Sequence, residues 1–171
     1  DVYKRQTDDC IIVSGTLNIT STEDGIIGKD LCGVVAGDIN INAGSDGIKS
    51  TYDTDTTKGN VIIEGGNITI KASNDGIQAE NILVINDGTI NIKTNNGAAD
   101  TTQTHTDNMY MGRGGFGFNN NKTTTTRDDT AESRKGIKAG NMLIINDGDI
   151  TIDSDDASVH CNSEIYIYGG T

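Results

Sequence analysis

Apolar residues recur along this chain in short alternating runs. Asn67-Ile68-Thr69-Ile70 and Thr89-Ile90-Asn91-Ile92 carry isoleucine at every second position, which is the period of a strand with one face turned inward. By that rule Ile68, Ile70, Ile90, Ile92, Ile150 and Ile152 share one side. Each run opens with a glycine in a Gly-x-[Ile/Leu]-x-Ile frame, at Gly15, Gly37, Gly66, Gly88 and Gly148, and Gly170 repeats the opening residue. The steps 15 to 37, 66 to 88 and 148 to 170 are each 22 residues. The step 37 to 66 is 29, or 22 plus 7, and the step 88 to 148 is 60, or 22 plus 38. A fixed period of this size marks a solenoid, with one coil per 22 residues and insertions at about 51–59 and 97–135.

Each coil holds three short apolar stretches. The first is Val61-Ile62-Ile63, repeated as Leu83-Val84-Ile85 and Leu143-Ile144-Ile145. The second is the glycine frame. The third is Gly76-Ile77-Gln78-Ala79, echoed by Gly25-Ile26-Ile27-Gly28, Gly47-Ile48-Lys49-Ser50 and Gly136-Ile137-Lys138-Ala139. Three strands and three corners per coil predict an all-β protein, a right-handed single-stranded parallel β-helix of about five to six coils. Asn60, Asn81 and Asn141 recur before the first strand; they are expected at a left-handed corner, with amides laddering between coils.

Composition agrees with that architecture. Only 33% of the chain is apolar, too little for a thick two-layer core but enough for the thin file of inward side chains that a solenoid needs. With 22 glycines, no proline and no tryptophan, the chain suits many strands joined by tight turns. A net charge of -12 argues against a nucleic-acid partner, whose phosphates need clustered Lys and Arg. No run approaches the roughly 18 apolar residues of a membrane span. Residues 1–6 match nothing in the repeat and include no initiating Met, so they are expected to be a non-native leader on a β-helix fragment covering 7–171.

Charge falls in columns. Asp24, Asp46 and Asp75 stand nine residues after their marker glycines, each followed by Gly-Ile. Stacked at about 4.8 Å, neighbouring carboxylates repel by roughly 3 kcal/mol at an effective dielectric near 20. Two readings relieve this: solvated Asp-Gly turns that cap their own backbone, or calcium bridging adjacent coils through hard oxygen donors. Asn86-Asp87-Gly88 and Asn146-Asp147-Gly148 add oxygen at another corner, and the doublet Asp155-Asp156 offers two ligands at once. Metal candidates are therefore Asp24, Asp46, Asp75, Asp155 and Asp156.

Twelve residues after the marker glycine the third strand turns outward with Ile27, Lys49, Gln78, Lys138 and His160. Lys49, Gln78, Lys138 and His160 are candidates to hold sugar carboxylates and hydroxyls; the alternative is a solvated face. Arg134 and Lys135 adjoin them. The first strand turns outward with Ile11, Ile62, Val84, Ile144 and Tyr166, and Tyr168 follows two residues on; such a column is either covered by another segment or stacks on sugar rings. Within the long insertion, Tyr110, Phe116 and Phe118 are further candidates for stacking, on what composition alone reads as a mobile loop. Cys10 and Cys32 lie 22 apart at an inward position, as buried thiols or an inter-coil disulfide. Cys161 reads as interior filler.

The run from Gly65 to Ala79, the segment Lys135-Gly136-Ile137-Lys138-Ala139 after a polar insertion, and Asp155-Asp156 leading to Val159-His160 resemble the calcium-containing carbohydrate-binding β-helix proteins of clostridia and related bacteria. The resemblance implies a fold like that of polysaccharide lyases, a secreted or cell-surface location, calcium as cofactor, and non-catalytic binding of cellulose or acidic pectic polymers. Ala157-Ser158 departs from the family's Asp-Gly or Asp-Ala pair at that corner. The enzymatic alternative is a calcium-dependent polysaccharide lyase, with Lys135, Lys138 or Arg134 removing the proton beside a uronate carboxylate. A structural adhesin-type solenoid is the third reading. Neither oligomeric state nor the particular polymer is legible.

Overall fold

The computed structural model describes residues 8–97 and 133–171. The expected leader at 1–6 and the candidates Tyr110, Phe116 and Phe118 lie outside the described residues.

Among the described residues sixteen strands follow one another in five triplets plus one. The first coil comprises β1 (Asp9–Ile12), β2 (Thr16–Ser21) and β3 (Ile26–Gly28); the second comprises β4 (Leu31–Val34), β5 (Asp38–Ala43) and β6 (Ile48–Ser50). The third has β7 (Asn60–Ile63), β8 (Asn67–Ala72) and β9 (Ile77–Ala79), and the fourth β10 (Ile82–Ile85), β11 (Thr89–Thr94) and β12 (Ile137–Ala139). The fifth has β13 (Met142–Ile145), β14 (Asp149–Asp153) and β15 (Val159–Cys161), after which β16 (Glu164–Ile167) follows. Every third strand pairs in parallel, giving three sheets in the orders β1-β4-β7-β10-β13-β16, β2-β5-β8-β11-β14 and β3-β6-β9-β12-β15. We call these sheets one, two and three. The molecule is a right-handed parallel β-helix.

Alternation produces the core. In β5, β8 and β11 the inward isoleucines Ile39, Ile41, Ile68, Ile70, Ile90 and Ile92 are at most 3% exposed. Each lies beside its equivalent one coil away, as in Ile39↔Ile68 and Ile68↔Ile90. Ile150 and Ile152 face the same way but are only partly buried, because β14 is the edge strand of sheet two. Sheet one contributes Val61, Ile63, Leu83, Ile85 and Leu143, and sheet three Ile48, Ile77 and Ile137, all fully buried. At about 25 cal/mol per Å² these apolar files are the main favourable term, and no coil can collect it without a neighbour to cover it.

The marker glycines form the corner between sheets one and two, with φ of 122° at Gly37, 106° at Gly66 and 123° at Gly88. L side chains avoid that region. Packing forbids a side chain there as well: a Cβ on Gly66 would stand 2.8 Å from Gly37 O, and one on Gly88 would stand 2.9 Å from Gly66 O.

The expectation of a left-handed corner at Asn60, Asn81 and Asn141 is corrected. Among the described residues the only non-glycine with positive φ is Asn95, at 48°. Gly59, at 73°, makes the bend before Asn60 and frees the asparagine to join β7. The amide ladder forms at one step only, Asn141 Nδ2 donating to Asn81 Oδ1 at 3.3 Å; Asn60 Oδ1 instead accepts from the backbone N–H of Ile82 at 3.2 Å, and Asn81 Nδ2 donates to Thr56 O.

Cys10 and Cys32 are register partners across β1 and β4, and all three cysteines are free thiols. Burial, with Cys10 alongside, pushes the Cys32 thiol up to about 12. It packs as a small apolar side chain.

Candidate functional site

Sheet three meets sheet two at the acidic corner, where the register of β3, β6, β9 and β12 aligns Asp24-Gly25-Ile26, Asp46-Gly47-Ile48, Asp75-Gly76-Ile77 and Lys135-Gly136-Ile137. Each aspartate is stitched to the following coil. Asp46 N–H donates to Asp24 Oδ1 at 3.0 Å, Asp75 N–H to Asp46 Oδ1 at 2.9 Å, and Lys135 N–H to Asp75 Oδ1 at 2.7 Å. In return Gly47 N–H donates to Asp75 O and Gly76 N–H to Lys135 O. A carboxylate oxygen thus replaces a backbone acceptor where the ladder turns the corner. The glycine after it is needed for close approach, since a Cβ on Gly76 would lie 2.6 Å from Gly136 O.

The second carboxylate oxygens face cations from the outward column. Lys49 Nζ bonds Asp46 Oδ2 and lies 3.9 Å from Asp24 Oδ2. Burial pushes the Asp46 carboxyl above its ordinary range, partly opposed by Lys49 and the Asp75 N–H. Burial alone would pull Lys49 down, but its bond to Asp46 and the nearby Asp24 and Glu80 outweigh that and leave it raised. Carboxylate repulsion is therefore relieved by backbone amides, which come from the next coil rather than from the aspartate's own turn, and by lysines of the outward column.

At Asp75 the second oxygen has an ion pair but no hydrogen bond. Asp75 is 1% exposed and its Oδ2 accepts no hydrogen bond; Lys138 Nζ is 3.2 Å away, close enough for charge attraction but outside hydrogen-bonding geometry. A buried carboxylate oxygen without a hydrogen bond is costly. Oxygen-only donors suit a hard cation such as calcium, which takes six to eight of them. Among the described residues no three His, Cys, Asp or Glu side chains converge on one point. Asp75 and Asp46 offer oxygen donors of the type calcium takes, but both Asp46 oxygens are already bonded, Oδ1 by Asp75 N–H and Oδ2 by Lys49.

The remaining candidates sit along the same face. Register places Lys49, Gln78, Lys138 and His160 side by side. Gln78 is only 9% exposed and donates to Glu80 at 2.8 Å, so it offers little to a ligand. His160 Nε2 is 3.0 Å from Asn162 Oδ1. Asp155 and Asp156 are held by different cations: Arg134 Nη1 reaches Asp155 Oδ2 at 2.7 Å, and Lys135 Nζ reaches Asp156 Oδ2 at 2.8 Å. Asn95, in its left-handed turn, donates to the same Asp155 oxygen at 2.9 Å. Arg134, Lys135 and Lys138, the three candidate lyase bases, are thus all engaged by carboxylates.

A family model for carbohydrate-binding domain-containing proteins matches residues 5–171. The chain belongs to that family. Nothing among curated proteins or solved structures matches it. The family description makes the protein a carbohydrate-binding domain. No helix among the described residues is long and apolar enough to cross a membrane.

Proposed function

We propose that this protein is a secreted or cell-surface polysaccharide-binding module, non-catalytic and assisted by calcium, for acidic pectic polymers or cellulose. The observation that carries the calcium part is Asp75 Oδ2, a buried carboxylate oxygen that lacks a hydrogen bond yet borders the outward column. Asp75 and Asp46 would hold the ion, and Lys49, Lys138 and His160 would meet sugar carboxylates and hydroxyls around it. Calcium supplies positive charge that a polyanion needs on a chain of net charge -12. The lyase alternative is disfavoured because each candidate base already lies against a carboxylate.

Co-sedimentation with polygalacturonate and with cellulose, in calcium and in chelator, tests this, with ultraviolet absorbance followed for unsaturated products. Calcium-dependent retention without an absorbance rise is the expected result. An absorbance rise abolished by Lys138→Ala would make the protein a lyase, and absence of binding to any polymer would leave a structural solenoid.

A further inference from the structure

Sheet one has a different outer surface. Its central column runs Ile62, Val84, Ile144, Tyr166 in register, with the three aliphatic side chains half-buried. Tyr166 and Tyr168 are 40% and 72% exposed. Their ring centroids lie 6.2 Å apart with planes within 5° of parallel, so the two rings stack as a pair. Tyr166 Oη donates to Glu164 Oε2 at 2.9 Å, which anchors its ring. Beside the apolar column runs a polar one. Asn146 Nδ2 donates to Asn86 Oδ1 at 2.6 Å, and Asn86 Nδ2 donates to Glu64 Oε2 at 2.8 Å. None of the six strands of sheet one contains Lys or Arg.

We propose that the outer surface of sheet one, centred on Tyr166 and Tyr168, is a second carbohydrate site that takes an uncharged polysaccharide strand, lying along the solenoid axis, without calcium. The inference rests on the carbohydrate-binding reading but uses a different face and a different chemistry. A sugar ring has apolar C–H faces and a rim of hydroxyls. The tyrosine rings and the Ile62-Val84-Ile144 column meet the faces, burying apolar area, while the amides of Asn86 and Asn146 meet the rim. A polyuronate is the wrong occupant, because it finds carboxylates at Glu64 and Glu164 and no cation on these strands to offset its charge.

The test uses microcrystalline cellulose and soluble cellohexaose, both in chelator, with the chain as it stands and with Tyr166→Ala/Tyr168→Ala and Tyr166→Phe/Tyr168→Phe. Cellohexaose affinity is read by isothermal titration calorimetry, which needs no tyrosine at the site and so serves the parent and both variants alike. The unaltered chain is expected to bind in chelator, the alanine pair to bind roughly tenfold more weakly, and the phenylalanine pair to bind like the parent. Calcium-dependent binding of the alanine pair to polygalacturonate, together with an unchanged circular dichroism spectrum, shows that the fold is intact. Cellulose binding in chelator that persists while polygalacturonate binding fails would sink the calcium reading and leave this one standing. Equal affinity of the alanine pair and the parent would overturn it, as would no binding by the parent in chelator. A dimer that the alanine pair converts to monomers would also overturn it, by showing that the face covers a second copy.

Discussion

The outer surfaces of sheets one and three grow from the same 22-residue rule and end in opposite states. Sheet three is crowded with charge, yet nearly all of it is engaged: Lys49 with Asp46, Arg134 with Asp155, Lys135 with Asp156, Lys138 near Asp75. Sheet one carries little charge and leaves an aromatic and aliphatic strip open to solvent. The lesson is that a charged column is not by itself a binding column. What matters for a ligand is what is left incompletely satisfied, which on sheet three is one carboxylate oxygen held by an ion pair without a hydrogen bond and on sheet one is a stretch of apolar surface.

The largest expected effect would break the comparison by removing what both faces share. Ile77 is fully buried behind sheet three, between Ile48 and Ile137. Ile77→Ala should cost about 2–5 kcal/mol in denaturant unfolding and weaken binding at both faces together.

Asp75→Asn separates them. It removes the charge opposite Lys138 and buries an amide beside that cation, so we expect a loss of about 1–3 kcal/mol and loss of calcium-dependent polygalacturonate retention. Cellulose retention in chelator should not change. Equal loss on both polymers would show that the two surfaces are not independent.

Lys49→Met sharpens the account of sheet three. Removing the cation that competes for Asp46 should tighten calcium binding in isothermal titration, at a stability cost in chelator of about 1–3 kcal/mol because the buried Asp46 carboxylate loses its cation. Weaker calcium binding would mean that the lysine belongs to the site rather than competing with it.

The pH dependence follows from Asp46, whose folded pKa is raised above 3.8 chiefly by burial. Its stabilising contribution is complete below 3.8 and is lost as pH rises through the higher folded value. Asp46→Asn should therefore remove a component of melting temperature that rises as pH falls from neutrality toward 3.8. The smallest effect expected is at Cys32. Fully buried and with its thiol pushed up to about 12, it should resist alkylation in the native protein and react only after unfolding.

Much of the scaffold was readable beforehand because register in a solenoid is arithmetic. Steps of 22, 29 and 60 residues reappear as hydrogen bonds between Asp24 and Asp46, Asp46 and Asp75, and Asp75 and Lys135. What spacing could not give was the direction each side chain takes within its column. Lys49, Gln78 and Lys138 align as read, but whether an amine reaches back to a carboxylate or out to a ligand depends on rotamers and local burial. Gln78 is covered for the same reason. The Asn60 corner misled because Gly59, one residue earlier, could take the left-handed turn at lower cost. The aromatic candidates at Tyr110, Phe116 and Phe118 fall outside the described residues, whereas Tyr166 and Tyr168 were legible as an outward pair and the structure adds their mutual stacking.

The glycine corner has a consequence for how such a chain can diversify. Between sheets one and two the connection keeps one length throughout, from Ile12 to Thr16, Val34 to Asp38, Ile63 to Asn67, Ile85 to Thr89 and Ile145 to Asp149. Both extra segments leave elsewhere, one between β6 and β7 and the other between β11 and β12. A rail that admits neither a Cβ nor an added residue keeps successive coils indexed, while the other two edges act as free ports. New recognition loops can be grafted at those ports, in nature or by design, without retuning the rest of the stack.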